Sequence, residues 1–128
     1  MANENPGIYA PGQDLSAHCS GAVTGKRFLA ITGNRQTADG SNNITVAHAT
    51  AAGRVCGVSK YDAASGGKVG VARGNSRVTL VNAGGNIAAF AEVEVGTNGQ
   101  AVTKSSGVAV GYAVTAATSG DDAEISLY

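Results

Sequence analysis

Tryptophan is absent, phenylalanine occurs twice and tyrosine four times, which leaves little to build an aromatic cleft for stacking sugars or bases. No window approaches the roughly 18 uninterrupted apolar residues that a spanning helix needs, so no membrane segment is expected. The opening MANEN has neither the basic start nor the apolar stretch of a secretion signal, and a cytosolic product is expected. Cysteine is confined to Cys19 and Cys56, too few for a disulfide scaffold, so both are expected as free thiols. Nine basic and nine acidic residues cancel and no basic tract occurs, which argues against nucleic acid as a partner. Large apolar residues are also scarce, with Leu, Ile, Val and Phe filling 25 of 128 positions. That fraction with high net charge would signal disorder, but here there is no net charge to hold the chain open.

What is abundant is small. Glycine (19) and alanine (23) dominate, and turn chemistry with period-two alternation runs through the sequence, while no long stretch repeats at helical spacing. An all-β fold is expected, as one domain by length, in the form of a small β-sandwich or barrel over residues 16–128. Residues 1–15 hold both prolines, each followed by glycine, and isolated apolar side chains; proline lacks an N–H, so this stretch reads as an extended arm. Its candidate contact residues are Pro6, Ile8, Tyr9, Pro11 and Leu15. Charge is unevenly spread. Residues 26–80 carry eight bases against Asp39 and Asp62, whereas residues 81–128 carry Lys104 against five acids. Opposed halves suit head-to-tail subunit contact, with Arg73, Arg77, Glu92 and Glu94 as candidate inter-subunit residues, although solvated faces explain the pattern as well.

Two hairpins can be written residue by residue. In VGVARGNSRVTLV, Gly74-Asn75 reads as a two-residue type II′ loop pairing Val71 with Val78 and Val69 with Leu80. In FAEVEVGTNGQAVT, Asn98-Gly99 reads as a type I′ turn pairing Val95 with Val102, with Glu94 facing Thr103 and both Glu92 and Glu94 outward. Further strands are expected near Arg27–Thr32, Ile44–His48, Val55–Tyr61, Val108–Thr115 and Glu124–Leu127, with turns between. The segment 51–66 also echoes 105–120 at an offset of 54, through Gly53/Gly107, Gly57/Gly111, Ala63/Ala117, Ser65/Ser119 and Gly66/Gly120. In so biased a composition these matches leave repeat and coincidence both open.

The catalytic inventory is thin. His18 and Cys19, placed in a loop, are adjacent and would point apart on an extended chain, and no CxxC or HxxxH ligand pair occurs, so no metal site is expected. Cys56 reads as a small buried hydrophobe and Cys19 as a loop thiol. The run from Asp121 to Glu124 lacks the spacing of an EF-hand loop and reads as a solvated turn. The stretches Ser65–Lys68 and Ala83–Asn86 have neither the full spacing of a phosphate loop nor a following helix. No cofactor, small-molecule substrate or enzyme activity is expected.

The order of AAGRVCGVSKYDAASGGKVGVARGNSRVTLV, AEVEVGTNGQAVT and SSGVAVGYAVTAATSGDDAEISLY resembles the small head decoration, or capsid cement, proteins of tailed bacteriophages. The likeness covers residues 44–128, with the arm at 6–12 similar to that family's opening; residues 20–43 match nothing. The resemblance implies a β-sandwich or tulip-like barrel that forms a homotrimer on the outside of the mature head. It further implies major capsid protein as partner, local three-fold positions, and shell stabilisation against internal DNA pressure. Such a protein is made in the host bacterial cytoplasm and located on the virion. The alternative reading is another virion or surface module, a tail or adhesin component recognising a host glycan.

Overall fold

The computed structural model describes residues 3–5, 8–10 and 12–128. Among the described residues ten strands build two units. The first is a closed barrel in the order β1-β3-β2-β4-β5, formed by β1 (Leu15–Cys19), β2 (Phe28–Gln36), β3 (Asn43–His48), β4 (Gly57–Ser59) and β5 (Lys68–Ala72). The second is a sheet in the order β6-β10-β9-β7-β8, formed by β6 (Val78–Asn82), β7 (Glu92–Val95), β8 (Ala101–Thr103), β9 (Gly111–Ala113) and β10 (Asp122–Leu127). Alternation decides which side chains turn inward. In β1, Ala17 and Cys19 are buried between outward Ser16 and His18, and in β10, Ala123 and Ile125 alternate with exposed Asp122 and Glu124. The barrel is filled by Ala17, Cys19, Val23, Leu29, Val46, Val69 and Val71. A second core joins Val81, Ile87, Val93, Ala101, Ala123 and Ile125 of the sheet to Phe28, Ala49 and Val58 of the barrel.

The two units are one design used twice. In the barrel Leu15 faces Val71, Ala17 faces Val69 and Val58 faces Ala72; in the sheet Thr79 faces Ile125, Val81 faces Ala123 and Tyr112 faces Ser126. Phe28↔Val58 and Leu29↔Gly57 correspond to Glu92↔Tyr112 and Val93↔Gly111. Isolated contacts repeat as well: Val23↔Ala63 is matched by Ile87↔Ala117, and the parallel pair Cys19↔Val46 by the parallel bridge Ala83↔Ala101. Strands β6–β10 are therefore equivalent to β1–β5, in chain order. The offset of 54 seen in sequence is the offset between β4–β5 and β9–β10. At β1–β2 it is 64, because the β2–β3 ribbon of the first repeat is longer. The three-residue parallel pairing of β1 with β3 is reduced in the second repeat to the single bridge Ala83↔Ala101.

Several expectations are corrected. The 69–80 hairpin does not form: β5 already pairs with β1 on one edge and β4 on the other, so no edge is left for β6, which pairs with β10. Residues 73–77 instead cross between repeats, and the Ser76 N–H donates to the Leu127 carbonyl at 2.7 Å. Val78 and Leu80, expected to share an apolar face with Val69 and Val71, are 52% and 42% exposed. The second hairpin does form, with Asn98 (φ 52°) and Gly99 (φ 73°) both left-handed as a type I′ turn requires. A bulge in which the Gly96 N–H donates to the Gln100 carbonyl at 2.7 Å then slips the register by one, so Val95 faces Ala101 and Glu94 faces Val102. Cys19 lies in β1 and is wholly buried, while Cys56 is half-buried. The arm ends at Asp14, since Leu15 opens β1 and packs against the barrel core.

Candidate functional site

Tyr9, Ala10, Gly12 and Asp14 of the arm meet a stripe of basic side chains of the same chain. The Tyr9 ring is flanked by two guanidinium groups, with Arg35 Cζ 5.8 Å and Arg73 Cζ 5.4 Å from its centroid. Arg35 Nη1 donates to Tyr9 Oη at 3.2 Å and to the Asn42 carbonyl at 2.9 Å, and Arg73 Nη2 donates to the Ala10 carbonyl at 2.8 Å. Arg77 donates to the Gly12 carbonyl at 3.3 Å and to the Asp14 carboxylate, which Lys60 also reaches at 2.5 Å. Those partners, Lys60 foremost, hold the Asp14 carboxyl below its ordinary value. The crossover makes room for the arm: Gly74 has φ +125°, and a Cβ there would sit 2.8 Å from Gly12 Cα. Ile8 projects from this tethered stretch at 78% exposure. Arg73 and Arg77, expected at subunit contacts, are thus engaged with their own arm, and Pro6 and Pro11 lie outside the described residues.

A second surface sits on the outer face of β7, β9 and β10. Phe90 meets Tyr112 edge to face, with centroids 5.2 Å apart at 80°, and Tyr112 meets Tyr128 at 6.2 Å. Tyr128 Oη donates to Glu92 Oε2 at 2.7 Å, which pushes the phenol pKa up and fixes exposed Glu92 against the ring. Phe90 is 78% exposed, and Val78, Leu80 and Val114 extend the apolar area. Glu94 departs from its expected place: it is buried, accepting from the Ser105 N–H at 2.9 Å and the Ser105 hydroxyl at 2.8 Å. Those hydrogen bonds favour the carboxylate and lower its pKa. Glu94 therefore braces the loop that follows β8 through Ser105.

A shallow cleft of about 440 Å³ opens beside the barrel, lined by Ala30, Ile31, Thr50, Gly53, Arg54, Val55 and Cys56. Burial pushes the Cys56 thiol up to about 11, so it is protonated at neutral pH and a poor nucleophile. His48 accepts the Thr24 N–H at 2.9 Å, and burial lowers its pKa, leaving it a neutral acceptor. Among the described residues no group of three His, Cys, Asp or Glu side chains could hold a metal. Sequence reasoning missed Arg35, Phe90, Tyr112 and Tyr128. The aromatic three stand far apart along the chain, and only the pairing of β9 with β7 and β10 gathers them. The opening of β1 was readable from the alternation of Leu15, Ala17 and Cys19.

No family model matches the chain, and no curated protein does. Among solved structures it is similar to the N base of head fiber gp8.5 of bacteriophage phi29. The superposition covers 91% of this chain and 93% of that one, with a TM-score of 0.74 and 23% identity. The chain has the fold of that base. The match runs through both repeats, so the tandem arrangement belongs to the shared fold.

Proposed function

We propose that this chain is a structural protein of a tailed-phage head, a decoration or cement protein seated on the outer surface of the mature shell. The fold held in common with a head fiber base over nine-tenths of the chain carries the reading. The motif order through residues 44–128 supports it independently. On this reading the partner is the major capsid protein, the chain acts as a homotrimer at local three-fold positions, and it stabilises the shell against internal DNA pressure without enzymatic chemistry.

The arm gives that role a physical form. Tyr9, Ala10, Gly12 and Asp14 are anchored by Arg35, Arg73, Arg77 and Lys60, so Ile8 is offered from a fixed point rather than from a free coil. A pre-tethered segment loses less entropy on docking, and three together gain through effective concentration. The test is co-sedimentation of purified protein with empty expanded heads and with unexpanded precursor shells. Saturable binding to expanded heads is expected. No binding to either shell, with retention on host cell envelopes, would overturn the reading in favour of a glycan-recognising module.

A further inference from the structure

The internal repeat shows how one unit covers the next. On the outside of the barrel, Phe28 and Val58 are almost wholly buried because the second repeat seals them into its own core. Lys26, held left-handed at φ 60°, reaches across that junction to Asp122 at 2.5 Å, and its carbonyl accepts the Asn82 N–H at 2.9 Å. Beside it the Ala52 N–H donates to the Val95 carbonyl at 2.8 Å. The face of the first repeat is therefore an interface, and its partner residues on the second repeat are Asn82, Val95 and Asp122.

The same face exists on the second repeat, where Tyr128 lies against Tyr112 and Glu92 and leaves Phe90 and Glu92 exposed to solvent. The position of Phe28 is held by Glu92, that of Val58 by Tyr112 and that of Lys26 by Phe90. Phe90 repeats the left-handed conformation at φ 66°, and its N–H donates to the Ala113 carbonyl as the Lys26 N–H donates to Ser59. A bulky side chain in that conformation is a costly exception that persists at functional sites. In the first repeat the conformation aims a side chain over the junction; in the second it aims a ring into solvent.

We infer that the Phe90–Tyr112–Glu92 face is covered by the first repeat of a second copy of this chain, in the pose by which the second repeat covers Phe28. The surface that would engage it follows from the same equivalence: Lys68, His18 and Ile31 stand where Asp122, Asn82 and Val95 stand. Ile31 is 58% exposed, although its counterpart Val95 is buried. Lys68 would meet the Phe90 ring, a cation against an aromatic face, where Asp122 meets Lys26. The charges agree, since residues 26–80 are strongly basic and residues 81–128 acidic. The contact joins two different surfaces, so it is heterologous, and the number of copies is set by closure.

This interface rests on the homotrimer of the functional reading and adds its residues. Sedimentation velocity at micromolar concentrations on the full chain tests it, with Phe90→Gly and Ile31→Ser. Glycine suits φ 66°, so Phe90→Gly removes the ring without straining the backbone, and its circular dichroism spectrum should match wild type. Self-association is expected to weaken tenfold or more in each variant, and an equimolar mixture, in which one intact pair of faces survives, should yield a heterodimer and stop there. Wild-type association in both variants, or a monomeric wild type, would overturn the interface. Loss of head binding with assembly intact would instead count against the functional reading alone.

Discussion

Gly57 and Gly111 occupy equivalent places in the two repeats, each in a strand too close to its neighbour for a side chain. A Cβ on Gly57 would lie 2.5 Å from Val71 Cγ1 and 2.6 Å from the Ala72 carbonyl oxygen; on Gly111 it would lie 2.5 Å from the Ser126 carbonyl oxygen and 2.8 Å from Ile125 Cγ2. Neither oxygen belongs to a flexible side chain, so the strand pair itself must open by several tenths of an ångström. Overpacking of this kind costs about 1–3 kcal/mol. Replacing glycine by alanine restores about 0.4–1 kcal/mol by narrowing the unfolded ensemble. Gly57→Ala and Gly111→Ala should each be destabilised by about 1–2 kcal/mol, and at roughly 3–6 °C per kcal/mol for a domain of this size the melting temperature falls by roughly 3–12 °C. Gly33→Ala is the control, because nothing lies within 4 Å of its Cβ, and it should match or slightly exceed wild type. Urea titration and thermal melts by circular dichroism measure all three. Wild-type stability in both strand variants would refute the close approach, and a large cost in one with none in the other would refute the equivalence of the repeats.

Acid should loosen the junction between repeats. The Lys26 hydrogen bond depresses the Asp122 carboxyl below its ordinary value of 3.8, so the folded chain binds fewer protons than the unfolded one between the two values. That contribution is full above the unfolded value and is lost as pH falls through the folded one; Asp14 and Asp39 act with the same sign. The melting temperature of Asp122→Asn should therefore fall less steeply than wild type below about pH 4, and parallel slopes would refute the pairing. Native protein treated with iodoacetamide near neutral pH should label Cys56 slowly and Cys19 not at all, whereas in urea both label fast; mass spectrometry reading Cys19 first would contradict the sealed barrel. Deleting residues 1–13 should leave the chain folded, since the described contacts it loses, at Tyr9, Ala10 and Gly12, are exposed, and should weaken binding to expanded heads; unchanged affinity in a titration would remove the arm from the shell contact.

The fold class was legible because period two survives in nearly every strand, and Asn98-Gly99 announced its turn. Partner choice was not. Val69, Val71, Val78 and Leu80 alternate as one hairpin would, yet they belong to different sheets, since what decides the matter is that β1 and β4 have already taken both edges of β5. Glu94 reads as an outward acid in a four-residue window, but its burial comes from Ser105 and the loop after β8, which no local pattern contains. The echo of Gly57 in Gly111 was visible and undecidable. Identity is sparse because each repeat needs only small residues at close approaches and apolar ones inside, and many residues satisfy those demands equally. Of the candidate site, Ile8 and Tyr9 were legible as isolated apolar residues in a proline-bearing arm, whereas Phe90, Tyr112 and Tyr128 acquire meaning only once β7, β9 and β10 lie side by side.

Joining the two units by residues 73–77 has a consequence for how such a chain changes over generations. The joint around Phe28 and Lys26 is kept together by a covalent leash, whatever its own affinity, so inheritance tolerates drift there. A look-alike joint made between separate molecules has no leash, and every substitution at Phe90 or Ile31 is exposed to selection at once. Descendants of this chain should lose the Lys26–Asp122 pair sooner than they lose the ring at Phe90.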